Sequence, residues 1–114
     1  MTATDRGTGQ TLAMVKLLPA TGSVVVVHSS GLREYVKQMI HDVRGMDVLK
    51  ATTVVICNRS DLAHNYLTGR CVPVIIDHAF WGAVPVHVDA LVRELAHGCN
   101  LMADYRPQNH GRSP

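Results

Sequence analysis

Residues 24–27 are four consecutive valines, set between Ser23 and His28. β-Branched side chains favour extended backbone, and a run with no polar alternation has no face to give to water. Such a strand has to be covered on both sides, which is the environment of a parallel sheet flanked by helices. Two further runs repeat the pattern, Thr52-Thr53-Val54-Val55-Ile56-Cys57 and Val72-Pro73-Val74-Ile75-Ile76-Asp77. Pro73 stands near the start of its run, where a missing N–H donor is tolerated.

The segments between these strands carry helical spacing. Leu32, Tyr35, Val36, Met39, Ile40 and Val43 recur at three- and four-residue intervals, with Ser29, Ser30 and Gly31 available as a cap and Gly45 as a stop. After the turn Asn58-Arg59-Ser60-Asp61, a short helix runs through Leu62, Ala63, Tyr66 and Leu67 to Gly69. Val88, Leu91, Val92 and Leu95 share one face of a last helix, which Gly98 is expected to end. At the start, Gly7 and Gly9 predict a loop that opens a helix over Leu12–Leu18, closed by Pro19. This succession predicts an α/β fold: a three-layer, mostly parallel sheet with flanking helices. A chain of 114 residues holds one such domain, expected over residues 1–103, with a mobile polar tail over 104–114.

Composition narrows the function classes. A formal net charge of +2 is far from the dense basic field of a protein held to nucleic acid by charge, so a nucleic-acid partner is allowed but not indicated. Cys57, Cys71 and Cys99 form an odd set without a close pair, which argues against a disulfide framework or a structural zinc site. The seven histidines, His28, His41, His64, His78, His87, His97 and His110, show no paired zinc spacing. The longest apolar runs are about five or six residues against the ~20 needed to span a bilayer, and no leader opens the chain. The expectation is a cytoplasmic protein without a membrane segment.

In a parallel sheet ligands gather at the carboxyl ends of the strands, which directs attention to two segments. Thr4-Asp5-Arg6-Gly7-Thr8-Gly9-Gln10-Thr11 aligns with the phosphate loop G-x-x-x-x-G-K-[ST] at Gly9 and Thr11. Val74-Ile75-Ile76-Asp77-His78 is a buried strand ending in an acid, the form of the segment that holds Mg²⁺ in P-loop ATPases. Between them Leu67-Thr68-Gly69-Arg70 precedes the second segment, which continues into Ala79-Phe80-Trp81.

This order resembles the ATPase core of superfamily 2 helicases and of phage terminase large subunits over residues 6–81. The resemblance implies a truncated P-loop NTPase-like fold of phage or mobile-element origin, with ATP and Mg²⁺ as ligands. It assigns Arg6, Gly7, Thr8, Gly9, Gln10 and Thr11 to the nucleotide, Asp77 and Thr11 to the metal, and His78 to the place of the catalytic Glu.

The departures are as informative. Thr4 replaces the first Gly and Gln10 replaces the Lys, whose charge at ~4 Å from a phosphate is worth about 4 kcal/mol at an effective dielectric of about 20. The strand that leads into a phosphate loop has no counterpart in Met1–Arg6, so either the sheet closes without it or an open edge is covered by another chain or by the segment 83–86. In the case of cover by another chain, the expected partner is a second copy, as a homodimer, or a host protein. The expectation is a degenerate P-loop nucleotide-binding-like protein with weak or no ATP hydrolysis. The alternative is a small protein-interaction or inhibitor module that reuses the scaffold to bind a host or partner protein.

Ordinary readings stand beside each of these. Gly7 to Thr11 is also an ordinary glycine loop, and Asp77-His78 a strand-end turn. His28-Ser29-Ser30-Gly31 is an anion site or simply a serine helix cap. Phe80 and Trp81 stack on a partner or fill the core. The three cysteines read as buried apolar groups.

Overall fold

All three β-branched runs become strands in the computed structural model, which describes residues 3–112 and the side chains of residues 9–104. They are β1 (Ser23–Val27), β2 (Thr52–Ile56) and β3 (Val74–Ile76), in one all-parallel sheet of order β2-β1-β3. Val25 pairs with Val54 and Val27 with Ile56 on one side of β1, while Val24 pairs with Val74 and Val26 with Ile76 on the other. All five residues of β1 are buried, as an uninterrupted valine run requires of a central strand.

The pleat sends alternate residues into two half-cores. Val24, Val26, Val55, Cys57 and Val74 pack with Ala63, Leu67, Phe80, Val88, Val92, Ala96 and Cys99. Val25, Val27, Val54, Ile56 and Ile75 pack with Val15, Leu18, Val36, Ile40 and Val48. Each fully buried Val or Ile contributes about 1.5–3 kcal/mol of transfer free energy, so the sheet centre dominates the packing.

Helices α1 (Ala3–Lys16), α2 (Ser30–Arg44) and α3 (Met46–Ala51) supply the second half-core, and α4 (Ser60–Leu67) and α5 (Val86–Arg112) the first. The Ser29 side chain accepts from the Leu32 N–H at 3.2 Å, the serine cap expected for α2. Gly45, at φ 93°, ends α2, and its N–H donates to the Ile40 and His41 carbonyls at 3.1 Å. That left-handed turn lets α3 start at once, an element the sequence spacing does not predict. Val48 anchors it, and the Thr52 hydroxyl donates to the Val48 carbonyl at 2.8 Å.

Two expectations at the ends are corrected. The glycine segment is not a loop: Gly7 and Gly9 lie inside α1, which runs unbroken from Ala3. A helical glycine costs only about 1 kcal/mol against Ala, which the neighbouring helix formers and the burial of Thr11, Val15 and Leu18 offset. Likewise Gly98 does not end α5, which continues to Arg112. Val88, Val92, Ala96 and Cys99 carry one buried stripe past that exposed glycine. No helix of the described residues is long and apolar enough to cross a membrane.

Candidate functional site

The structure brings together the two residues on which the sequence reading turns. Thr11 and Asp77, 66 positions apart, are 3% and 1% exposed, and the Thr11 hydroxyl donates to Asp77 Oδ1 at 3.0 Å. Asp77 stands just after β3, and its N–H donates to the Val26 carbonyl at 3.0 Å, fixing it to the carboxyl end of the central strand. Its second oxygen accepts the Ala79 N–H at 3.1 Å and caps the 3-10 helix His78–Gly82. Thr11 is held by the seat of α1: Arg44 Nη1 donates to the Val15 and Lys16 carbonyls at 2.9 and 3.1 Å, closing the helix end.

Each buried carboxylate oxygen therefore has a donor, which is what a buried Asp requires. The same contact could orient a Thr and an Asp about a cation, because both offer hard oxygens of the kind Mg²⁺ takes. The glycines give no such support. A backbone cradle needs glycine for positive φ or close approach. The positive-φ glycines among the described residues are Gly22, Gly45 and Gly69, and a Cβ added at Gly9 would meet nothing within 4 Å. Gln10 is exposed, and the side chains of Arg6 and Thr8 lie outside the described residues. His78 opens the 3-10 helix exposed to solvent, and no hydrogen bond ties it to Thr11 or Asp77.

The remaining candidates settle into the fold. Phe80 is fully buried and meets Trp81 edge-on at 5.2 Å, with the Arg93 guanidinium 3.8 Å over the indole and paired to Asp89. Cys57 and Cys99 are buried while Cys71 is half-buried. Burial pushes the Cys57 thiol up to about 12 and also raises Cys99, whose thiol donates to the Leu67 carbonyl at 3.0 Å. Among the described residues no group of three or more His, Cys, Asp or Glu side chains converges.

The sheet has a second feature, the unequal closure of its two edges. In a parallel ladder alternate residues of an edge strand turn both backbone groups inward. Val24 N–H donates to the Pro73 carbonyl at 2.9 Å, and Asp77 N–H to Val26, so Val74 and Ile76 face outward on β3. The Asn100 side-chain amide of α5 takes the outward groups of Val74: its Oδ1 accepts the N–H at 2.7 Å and its Nδ2 donates to the carbonyl at 3.2 Å. A primary amide carries the donor and acceptor of a peptide group, so Asn100 stands in for one residue of a neighbouring strand. The segment 83–86, one of the covers considered for an open edge, leaves the 3-10 helix at Ala83 and enters α5.

On β2, Cys57 N–H donates to the Val27 carbonyl at 3.1 Å, so Thr53 and Val55 face β1 while Val54 and Ile56 face outward. Among the described residues no side chain pairs with their backbone groups. A groove of about 400 Å³ runs along this edge, with Arg33 of α2 on one side and Leu62 and Tyr66 of α4 on the other. The uncharged β-branched run Thr52–Ile56 signals this edge in the sequence. Asn100, directly after Cys99 on the core-facing stripe of α5, signals the closed one.

Compared with known proteins, the chain matches no family description, no curated protein and no solved structure.

Proposed function

We propose that the chain is a small protein-interaction module that takes up an extended polypeptide segment along the outer edge of β2. The observation that carries this reading is the inequality of the two sheet edges: on β3 Asn100 takes the outward groups of Val74, whereas among the described residues no side chain pairs with the outward groups of Val54 and Ile56 of β2, which face a groove. A strand laid along that edge supplies the missing partners, and the groove walls meet its side chains. The scaffold needs no chemistry for this, in keeping with a Thr11–Asp77 pair that is internally satisfied.

The test is a titration with a capped, uncharged, β-branched synthetic peptide, followed by amide hydrogen exchange. The expected result is new protection at Val54 and Ile56. Protection confined to other elements removes β2 from the interface.

A second reading, nucleotide binding with weak or no hydrolysis on a degenerate P-loop-like scaffold, is favoured by one observation, the contact of Thr11 with Asp77 at a strand's carboxyl end. Calorimetry with ATP and Mg²⁺ decides it. Heat that disappears in both Thr11→Ala and Asp77→Ala supports nucleotide binding, and heat absent from the unsubstituted protein ends it. Gly9→Ala separates the readings further: on a plain helix it stabilises by up to ~1 kcal/mol and changes no ligand, whereas a phosphate loop would lose affinity.

A further inference from the structure

We propose that the segment taken up by β2 is β2 of a second copy of this chain, paired antiparallel about a two-fold axis at Val55. This rests on the reading of β2 as a strand-accepting edge, and adds the occupant and the register.

The outward groups fix the register. Val54 and Ile56 each offer one N–H and one C=O to the free edge, two residues apart. An antiparallel strand pairs by exchanging both bonds between opposed outward residues. With the axis at Val55, Val54 of each copy lies opposite Ile56 of the other, and every outward group of this pair of residues finds a partner. The neighbouring symmetric register, with its axis at Val54, would oppose Ile56 to Thr52. The Thr52 N–H is already given to the Leu49 carbonyl at the end of α3, so that register loses one bond in each copy.

Charge points the same way. Residues 52–56 carry none. Among the described residues the cation on the groove wall is Arg33, which is paired with Glu34 at 3.3 Å, and Arg59 nearby grips Asp61 through two bonds of 3.1 and 3.0 Å. Hydrogen bonding from Arg59 holds the Asp61 carboxyl below its usual range. Among the described residues the groove thus offers no unpaired charge to select an acidic or a basic segment, and a neutral β-branched strand suits it. β2 is such a strand, and it lacks the Lys, Pro or bulge that blunts edges in monomeric proteins. A two-fold axis normal to the sheet keeps like layers together, so Leu62 and Tyr66 of the two copies meet over the joined strands and the exposed Tyr66 ring gains cover.

Sedimentation equilibrium of the full chain over micromolar to millimolar concentrations, with amide exchange at both ends of that range, tests the proposal. The expected result is a reversible dimer in which Val54 and Ile56 amides become protected with concentration, while Val55 and Cys57 amides are protected throughout. Val54→Pro removes an outward N–H without touching the ladder to β1, and Thr53→Lys adds a charge at an exposed position of the same strand. Each should weaken self-association about tenfold or more, the scale of one or two lost hydrogen bonds, and leave the monomer folded. A dimer indifferent to both variants, or one with freely exchanging Val54 and Ile56 amides, overturns the proposal. So does a monomer at every concentration. In that case the capped peptide still decides the broader reading, since a monomeric chain that binds the peptide at Val54 and Ile56 keeps a strand-accepting edge and loses only the second copy.

Discussion

The two edges of this sheet begin from the same chemistry and end differently. Both are short, apolar and parallel to β1, and both turn alternate peptide groups away from it. On β3 one side-chain amide from α5 meets the outward groups of Val74 within 3.2 Å, and Asp77 closes the strand's end against Thr11 and Ala79. On β2 the flanking helices stand back far enough to leave a groove. Among the described residues, the difference between the edges thus lies in one side-chain amide, which takes the outward groups of Val74 and has no counterpart at Val54 or Ile56.

The largest expected effect breaks β2 from the inside. Val55→Pro should destabilise by about 3 kcal/mol or more in denaturant titration, because it removes an inward donor to β1 and disturbs a side chain 4% exposed. Val54→Pro, one residue away, should cost much less than that, because its N–H faces the groove. Equal costs for the two would mean that the assigned facing of β2 is wrong. Next comes the closed edge: Asn100→Leu leaves the Val74 N–H and carbonyl without partners and should cost about 1–3 kcal/mol, with added concentration-dependent association through the uncovered β3. A variant as stable as the parent would show that the amide contributes no protection.

A separate effect, confined to alkaline pH, comes from a thiol. The Cys57 thiol, at the end of β2, is raised to about 12 from an ordinary value of 9.0. The unfolded chain then gives up this proton first as pH rises. The contribution is fully present below pH 9 and is lost progressively between pH 9 and about 12. Alkaline unfolding should begin later in Cys57→Ala than in the parent. The half-buried Cys71 should be alkylated by iodoacetamide well before Cys57 and Cys99.

Much of this architecture was readable from residue order. The unbroken valine run required a doubly covered strand, the spacing from Leu32 to Val43 required an amphipathic helix, and Asp77 after a buried run pointed to a strand's carboxyl end. The segments around them misled for identifiable reasons. Gly7 and Gly9 suggested a turn, but helix propensity is worth about 1 kcal/mol and the packing of Thr11, Val15 and Leu18 outweighs it. Gly98 suggested a stop, yet the buried stripe of α5 continues to Cys99 and carries the helix through. Helix α3 was hidden because six residues are too few for a period to be recognised.

Local sequence determined which segments extend and which coil, since β-branching, spacing and caps act between near neighbours. Tertiary structure alone decided that Thr11 meets Asp77, that Asn100 stands against Val74, and that β2 lies at the other edge of the sheet beside a groove. Those outcomes depend on how helices seat on the sheet, and a hydrogen bond closes only where two distant segments are brought within about 3 Å with the right direction.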